Sequence, residues 1–282
     1  MKISKSLHAV AGKYKWIFFD SFGVLKDSQG VFDGTWDLIP QLEDRGIQSC
    51  LLTNDSSKSP EEHKVTFTSP AGKVLFQTDR IFSSGLLATD FLKNKVRRGK
   101  VAYLGTAASA WYIEEAGCDP VPAHQVKSGD KIVAFVFLDD EGFNWSESMN
   151  AVLNLLRGRN LPVINANADL SYPAGDKHIN FAVGSIAHMV ERVLGKHFIH
   201  FGKPGSLLYS YIWERILGSG SRMDKRHILM VGDTLTTDII GGNRFGIDTA
   251  LVLAGNTSPE EHRRLIETTG IIPDYVFSSP FS

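Results

Sequence analysis

The chain is short of cysteine, of long apolar runs and of net charge, and each shortage closes off a class of protein. Two cysteines in 282 residues, Cys50 and Cys118, cannot build a disulfide framework. Cys50 lies in a strand-like stretch at 47–52, where a buried thiol is the ordinary reading. The longest apolar runs, such as 132–138, fall far short of the roughly 20 residues that cross a bilayer. Residues 1–15 are polar and basic, without the apolar stretch of a secretory signal. Thirty basic and 31 acidic residues leave a net charge of -1, so no long-range field draws the chain to nucleic acid or anionic lipid. The expectation is a cytoplasmic protein in a reducing compartment, with neither nucleic acid nor membrane as partner.

A hydrophobic fraction of 43% and a charged fraction of 22% are ordinary for a folded protein. The length accommodates two domains, each with its own core. Short apolar runs at 15–20, 47–53, 79–83, 227–232 and 248–253 alternate with amphipathic stretches, the pattern of strands joined by crossover helices. Residues 35–45 read as one such helix, with Trp36, Ile39 and Leu42 on one side and Gly46 as its stop. A second alternation lies inside the first: strands at 100–104, 131–138 and 161–166, with helices at 107–116 and 146–157. The predicted fold is an α/β, doubly wound, Rossmann-like parallel-sheet core, built from residues 1–85 and 194–282 around an inserted α/β domain at 86–193.

Asp20, Thr53 and Asp233 stand at or just beyond the carboxyl ends of three predicted strands, where open α/β sheets bind ligands. Asp20 follows a buried run and precedes Gly23, which lets the chain turn, so its carboxylate can serve as a covalent nucleophile. Alone, it would read as a turn Asp. Thr53, Asn54 and Asp55 end the second strand with groups able to hold phosphate oxygens, although such clusters usually make turns and caps. Lys203, in Phe201–Gly202–Lys203–Pro204, places a cation at a helix entrance. Asp233 and Asp238 add two hard oxygen donors suited to magnesium. Thr236 or Thr237 is expected to cap the helix that follows, which Gly246 closes.

Taken in order, these four segments resemble the four motifs of the haloacid dehalogenase superfamily, and most closely its class IIA, the nitrophenyl-phosphatase and phosphoglycolate-phosphatase type. The resemblance covers nearly all of the chain after residue 14, including Asn165–Ala166–Asn167–Ala168–Asp169 and Pro273–Asp274–Tyr275–Val276. It implies a phosphatase with Asp20 as nucleophile and with Mg²⁺ held by Asp20, Asp233 and the backbone carbonyl of Phe22. Asp238 would fix the metal's water shell or orient Lys203. Thr53, Asn54, Asp55 and Lys203 would bind the phosphate. The inserted domain would be a mobile cap that closes over the core and excludes water. The substrate implied is a small phosphorylated metabolite such as a sugar phosphate, and cap-to-cap homodimers are familiar in that branch.

One departure stands out. Most family phosphatases carry a second Asp two residues after the first, which protonates the leaving oxygen; here that residue is Phe22, which can neither give nor take a proton. Two readings follow: a phosphatase whose proton is handled elsewhere, or a catalytically weak phosphate-binding or regulatory protein on the same fold. Asp139–Asp140–Glu141 imitates a nucleophile motif but reads as a solvated strand end. His197 and His200 read as structural histidines rather than metal ligands. Gly202–Lys203 is no P-loop, because positions 197 and 204 are His and Pro. Trp111, Tyr112 and Trp145 are read as core aromatics before substrate contacts. Asp169, Asp176, His178 and Ser185 match the cap pattern only in residue type.

Overall fold

The computed structural model describes residues 2–3, 6–174, 178–217 and 224–281; Asp176 lies outside them. The first four strands are β1 (Lys2–Ile3), β2 (Trp16–Phe19), β3 (Gln48–Thr53) and β4 (Ile81–Ser83). The next four are β5 (Lys100–Leu104), β6 (Asp119–Pro122), β7 (Ile132–Phe137) and β8 (Val163–Asn165). A hairpin of β9 (Ser171–Pro173) and β10 (Ile179–Phe181) follows, then β11 (Ile199–His200), β12 (Ile228–Gly232), β13 (Asp248–Val252) and β14 (Tyr275–Phe277).

Seven strands form a parallel sheet in the order β1-β14-β13-β12-β2-β3-β4. Both faces are buried, so the strands are apolar on both sides. Ile17, Phe19, Leu51, Leu229 and Val231 pack beneath the helix Thr35–Asp44, while Phe18, Cys50, Leu52 and Met230 point the opposite way. That helix buries Thr35, Leu38, Ile39 and Leu42, a 3.6-residue stripe. From β2 the chain runs outward to β3 and β4, and it later re-enters beside β2 to run the other way through β12, β13 and β14. The sheet order therefore reverses between β2 and β12, the crevice where such sheets bind ligands.

The second sheet, β11-β8-β7-β5-β6, is also parallel. It extends past residue 193, because Ile199 pairs with Ile164 before the chain returns to the larger sheet. Its inner face, with Val101, Tyr103, Ala134, Val136 and Ile164, belongs to the same apolar cluster as Phe18 and Leu52 of the larger sheet. Tyr112 ties the two together: its hydroxyl donates to the Lys58 carbonyl at 2.6 Å and lies 2.6 Å from Ser83 Oγ. It is a core residue, as its amphipathic setting suggested. A helix was expected at 107–116, yet only Trp111–Glu114 is α-helical. The stretch before it closes with tighter i to i−3 bonds instead: the Trp111 and Tyr112 amides donate to the Ala108 and Ser109 carbonyls at 3.2 and 3.4 Å. Among the described residues no helix is long and apolar enough to cross a membrane.

Candidate active site

The register Phe19↔Val231 sets the carboxyl ends of β2 and β12 side by side, so Asp20 and Asp233 leave adjacent strands at the reversal point. Room for Asp233 is made by glycines. A Cβ on Gly23 would lie 2.1 Å from Asp233 Oδ2, and one on Gly255 only 1.8 Å away. Gly23 also has φ +76°, which glycine adopts without strain. The Asn256 amide donates to Asp233 Oδ2 and the Thr234 hydroxyl to Oδ1, each at 2.7 Å. Gly255 and Asn256 escaped the sequence reading, because a missing side chain and a main-chain N–H leave no residue-type signal.

Lys203 reaches the same place from a distant loop. Asn54 holds that loop: its Oδ1 accepts from the Lys203 amide at 2.7 Å, and its Nδ2 donates to the Lys203 carbonyl at 3.0 Å. Gly202 permits the approach, since a Cβ there would fall 2.5 Å from Asn54 Oδ1. The ammonium then lies 2.7 Å from both Asp20 Oδ1 and Asp238 Oδ1, and Lys203 is 1% exposed. Burial works against that charge, but Asp20 and Asp238 outweigh it and push Lys203 above its usual value. Asp238 does more than follow a cap. The expected Thr236 or Thr237 cap is not the one formed: a π-helical turn spans Leu235–Ile239, and Asp238 Oδ2 accepts from the Thr234 amide at 3.1 Å.

The ligand atoms of Asp20, Asp233 and Asp238 all lie within 4.8 Å of one another. Burial, then the charges of Asp20 and Asp238, pushes Asp233 up to about 8, and burial lifts Asp20 to about 6 despite Lys203. Three crowded carboxylates facing one ammonium carry surplus negative charge, and oxygen donors of this kind fit Mg²⁺. A second cluster, His188, Glu191 and His200, is also compact. There Asn165 Nδ2 donates to His200 Nδ1 at 3.1 Å, which leaves the ring proton on Nε2, 3.2 Å from Glu191. That trio is a hydrogen-bonded group, with His188 Nδ1 also 3.2 Å from Glu191 Oε2.

Comparison with known proteins shows the family of the chain. Residues 17–119 match the profile of haloacid dehalogenase-like hydrolases and residues 200–279 that of HAD-hydrolase-like proteins. A crystal structure from Cytophaga hutchinsonii, described as a possible sugar phosphatase of the HAD superfamily, is 42% identical with a TM-score of 0.93, covering 100% of this chain and 99% of that one. The chain belongs to the haloacid dehalogenase superfamily. Among curated relatives, the glycerol-3-phosphate phosphatase of Gallus gallus is 27% identical, with 98% of this chain and 92% of that protein covered. An acid sugar phosphatase of Staphylococcus saprophyticus is 26% identical, with 94% of each covered.

In this superfamily member the second sheet and hairpin roof a cavity of about 750 Å³ above Asp20. Phe22 lines it: its ring packs edge-on against Tyr172 of the hairpin at 6.1 Å, and Lys26 Nζ sits 5.0 Å from its centroid. Thr53 also lines the cavity, its hydroxyl accepting from the Asp55 amide at 3.1 Å. Asn54 is occupied differently from the expected phosphate contact. Both its amide hydrogens are spent, one on Lys203 and the other on Asp169 Oδ1 at 2.8 Å, so its side chain positions those residues. The Asp55 carboxylate accepts from the Ser57 amide and hydroxyl at 2.8 and 2.6 Å. Burial raises it, but His63 and the two Ser57 bonds outweigh burial and hold it below the usual range. An ionised side chain of that kind repels phosphate.

Asp139 departs from the solvated strand end expected of it. It is 8% exposed, accepts from Thr106 Oγ1 at 3.2 Å, and is pushed up to about 6 by burial and Asp140. Asp140 accepts from Tyr172 Oη at 3.0 Å, and both carboxylates line the cavity. Among the described residues Trp111, Tyr112 and Trp145 do not line it.

Proposed function

We propose that this phosphatase hydrolyses small phosphorylated metabolites of the sugar-phosphate kind through an aspartyl-phosphate on Asp20, with Mg²⁺ as cofactor. The observation that carries the reading is the meeting of Asp20, Lys203 and Asp238 at 2.7 Å, with Asp233 in the same cluster. Asp20, Asp233, the Phe22 carbonyl and, directly or through water, Asp238 would hold Mg²⁺. When bound, the ion neutralises charge that otherwise keeps a phosphate dianion from a carboxylate.

The chain's own residues supply the rest. Asp20 Oδ1 accepts from the Ser21 amide and from Lys203 Nζ, both at 2.7 Å, which leaves Oδ2 to attack phosphorus. Lys203 offsets charge developing on the phosphoryl oxygens. The Thr53 hydroxyl, at the cavity wall, would hold one of those oxygens. The roof keeps bulk water from the intermediate. A cytoplasmic setting belongs to the same reading, since Cys50 and Cys118 are both buried free thiols.

Phe22 supports a second reading, a phosphate-binding or regulatory protein with little turnover. A panel of aryl and alkyl phosphate monoesters assayed with Mg²⁺ and with chelator separates the two. Mg²⁺-dependent release of inorganic phosphate is expected. Tight Mg²⁺ binding with no turnover across the panel would select the regulatory reading.

A further inference from the structure

Asp169 is a carboxylate that the proposed chemistry leaves unused, yet the fold fixes it with care. It sits in the loop between β8 and β9, reaching the active site from the roof. Its amide donates to Asn167 Oδ1 at 2.9 Å, and the next residue, Leu170, accepts at its carbonyl from the Ala182 amide at 3.1 Å and from Ser185 Oγ at 2.6 Å. The loop lies against the first turn of the helix Val183–Leu194, where Gly184 is required: a Cβ there would fall 2.3 Å from the Asp169 carbonyl oxygen. A loop pinned at this many points holds its side chain in place.

What it holds is a carboxylate hydrogen-bonded into the catalytic group. Asn54 Nδ2 donates to Asp169 Oδ1 at 2.8 Å, Asn54 Oδ1 accepts from the Lys203 amide at 2.7 Å, and Lys203 Nζ meets Asp20 Oδ1 at 2.7 Å. Asp169 and Asp20 line the same cavity. In-line attack by Asp20 puts the leaving oxygen on the side facing away from β2, which is the side the roof covers. Of the other acids of the cavity wall, Glu141 is exposed to solvent and Asp55, Asp139 and Asp140 are held by other partners. Asp55 is ionised and turned to Ser57. Asp139 is bound to Thr106, and Asp140 to Tyr172.

We propose that Asp169 is the general acid and base of this enzyme, taking over from the roof the proton transfer that Phe22 cannot perform. The inference rests on the phosphatase reading above. In the first step Asp20 Oδ2 bonds to phosphorus, the ester P–O bond breaks with its electron pair passing to the leaving oxygen, and that oxygen takes the Asp169 carboxyl proton. In the second, water attacks phosphorus, its proton passes to the Asp169 carboxylate, and the P–O bond to Asp20 breaks to release inorganic phosphate and restore Asp20. Burial lifts the Asp169 carboxyl to about 6 despite the pull of Lys203, so both protonation states are accessible near neutrality.

The test is the near-isosteric Asp169→Asn, followed in the pre-steady state with p-nitrophenyl phosphate and an alkyl phosphate. A nitrophenolate leaving group needs no proton, so the variant should release a burst close to the parent rate and then turn over slowly. The alkyl ester, failing at the first step, should lose about 10²- to 10⁴-fold. Phe22→Asp in the Asp169→Asn background should restore alkyl turnover, which a merely structural Asp169 would not allow. Equal first-step losses for both esters, or an undiminished alkyl rate, would overturn the proposal. A parent enzyme inert toward every ester would instead overturn the phosphatase reading and this inference with it.

Discussion

Lys203 Nζ stands 2.7 Å from Asp238 Oδ1, and both side chains are almost wholly removed from solvent. Coulomb attraction is strong at this depth, and so is the cost of leaving either charge alone. Lys203→Met would leave Asp20 and Asp238 without their cation. The variant is expected to lose about 3–5 kcal/mol of stability in metal-free urea unfolding and nearly all turnover. A Lys203→Met protein as stable as the parent would mean that the pair is not the joint described above.

The glycines around Asp233 give a second measurement. Gly255→Ala drives a methyl to 1.8 Å from Asp233 Oδ2, so the carboxylate must move. The expected cost is about 1–3 kcal/mol, together with a weakened Mg²⁺ response. Gly246→Ala is the control: its φ of +84° is strained for alanine, but nothing lies within 4 Å. It should cost about 1–2 kcal/mol and leave Mg²⁺ affinity unchanged, as read by titration calorimetry.

Acidity and metal binding are linked with a definite sign. Asp233 is pushed up to about 8 and Asp20 to about 6, first by burial, so the metal-free fold holds protons that the unfolded chain releases near pH 4. Stability from these groups is fully present below that pH and is lost as pH rises through about 6 and then about 8. Mg²⁺ displaces the same protons. The melting temperature of chelator-treated protein should therefore fall between about pH 5 and about pH 8, and the rise on adding Mg²⁺ should be larger at the higher pH. A Mg²⁺ increment that shrinks with rising pH would contradict this account.

Much of the fold is legible along the chain because each core strand is buried on both faces. Runs such as Trp16–Phe19 and Ile228–Gly232 need no partner to declare themselves. Asp20 and Asp233 were legible for the same reason, as the first carboxylates after such runs. Lys203 alone reads as a solvated lysine, and only the order of the four motifs singled it out. Contacts spanning the chain were not legible. The task of Asn54 depends on a partner 149 positions away and on another 115 positions away, so its residue type suggested a phosphate contact instead. Asp139 misled for a local reason: a polar residue after an apolar run reads as emerging into solvent, but the Thr106 loop folds over it.

The nucleophile assignment is open to the most direct measurement. Asp20→Asn keeps the side-chain shape but removes the attacking carboxylate, so its rate on p-nitrophenyl phosphate in Mg²⁺, set beside the parent's, isolates that one group. The expected result is a folded protein whose turnover falls by at least about 10³-fold and which no longer acquires phosphate covalently during turnover. Hydrolysis retained within a few-fold of the parent rate would contradict the account, since the phosphoryl group would then be passing through some other atom than Asp20 Oδ2.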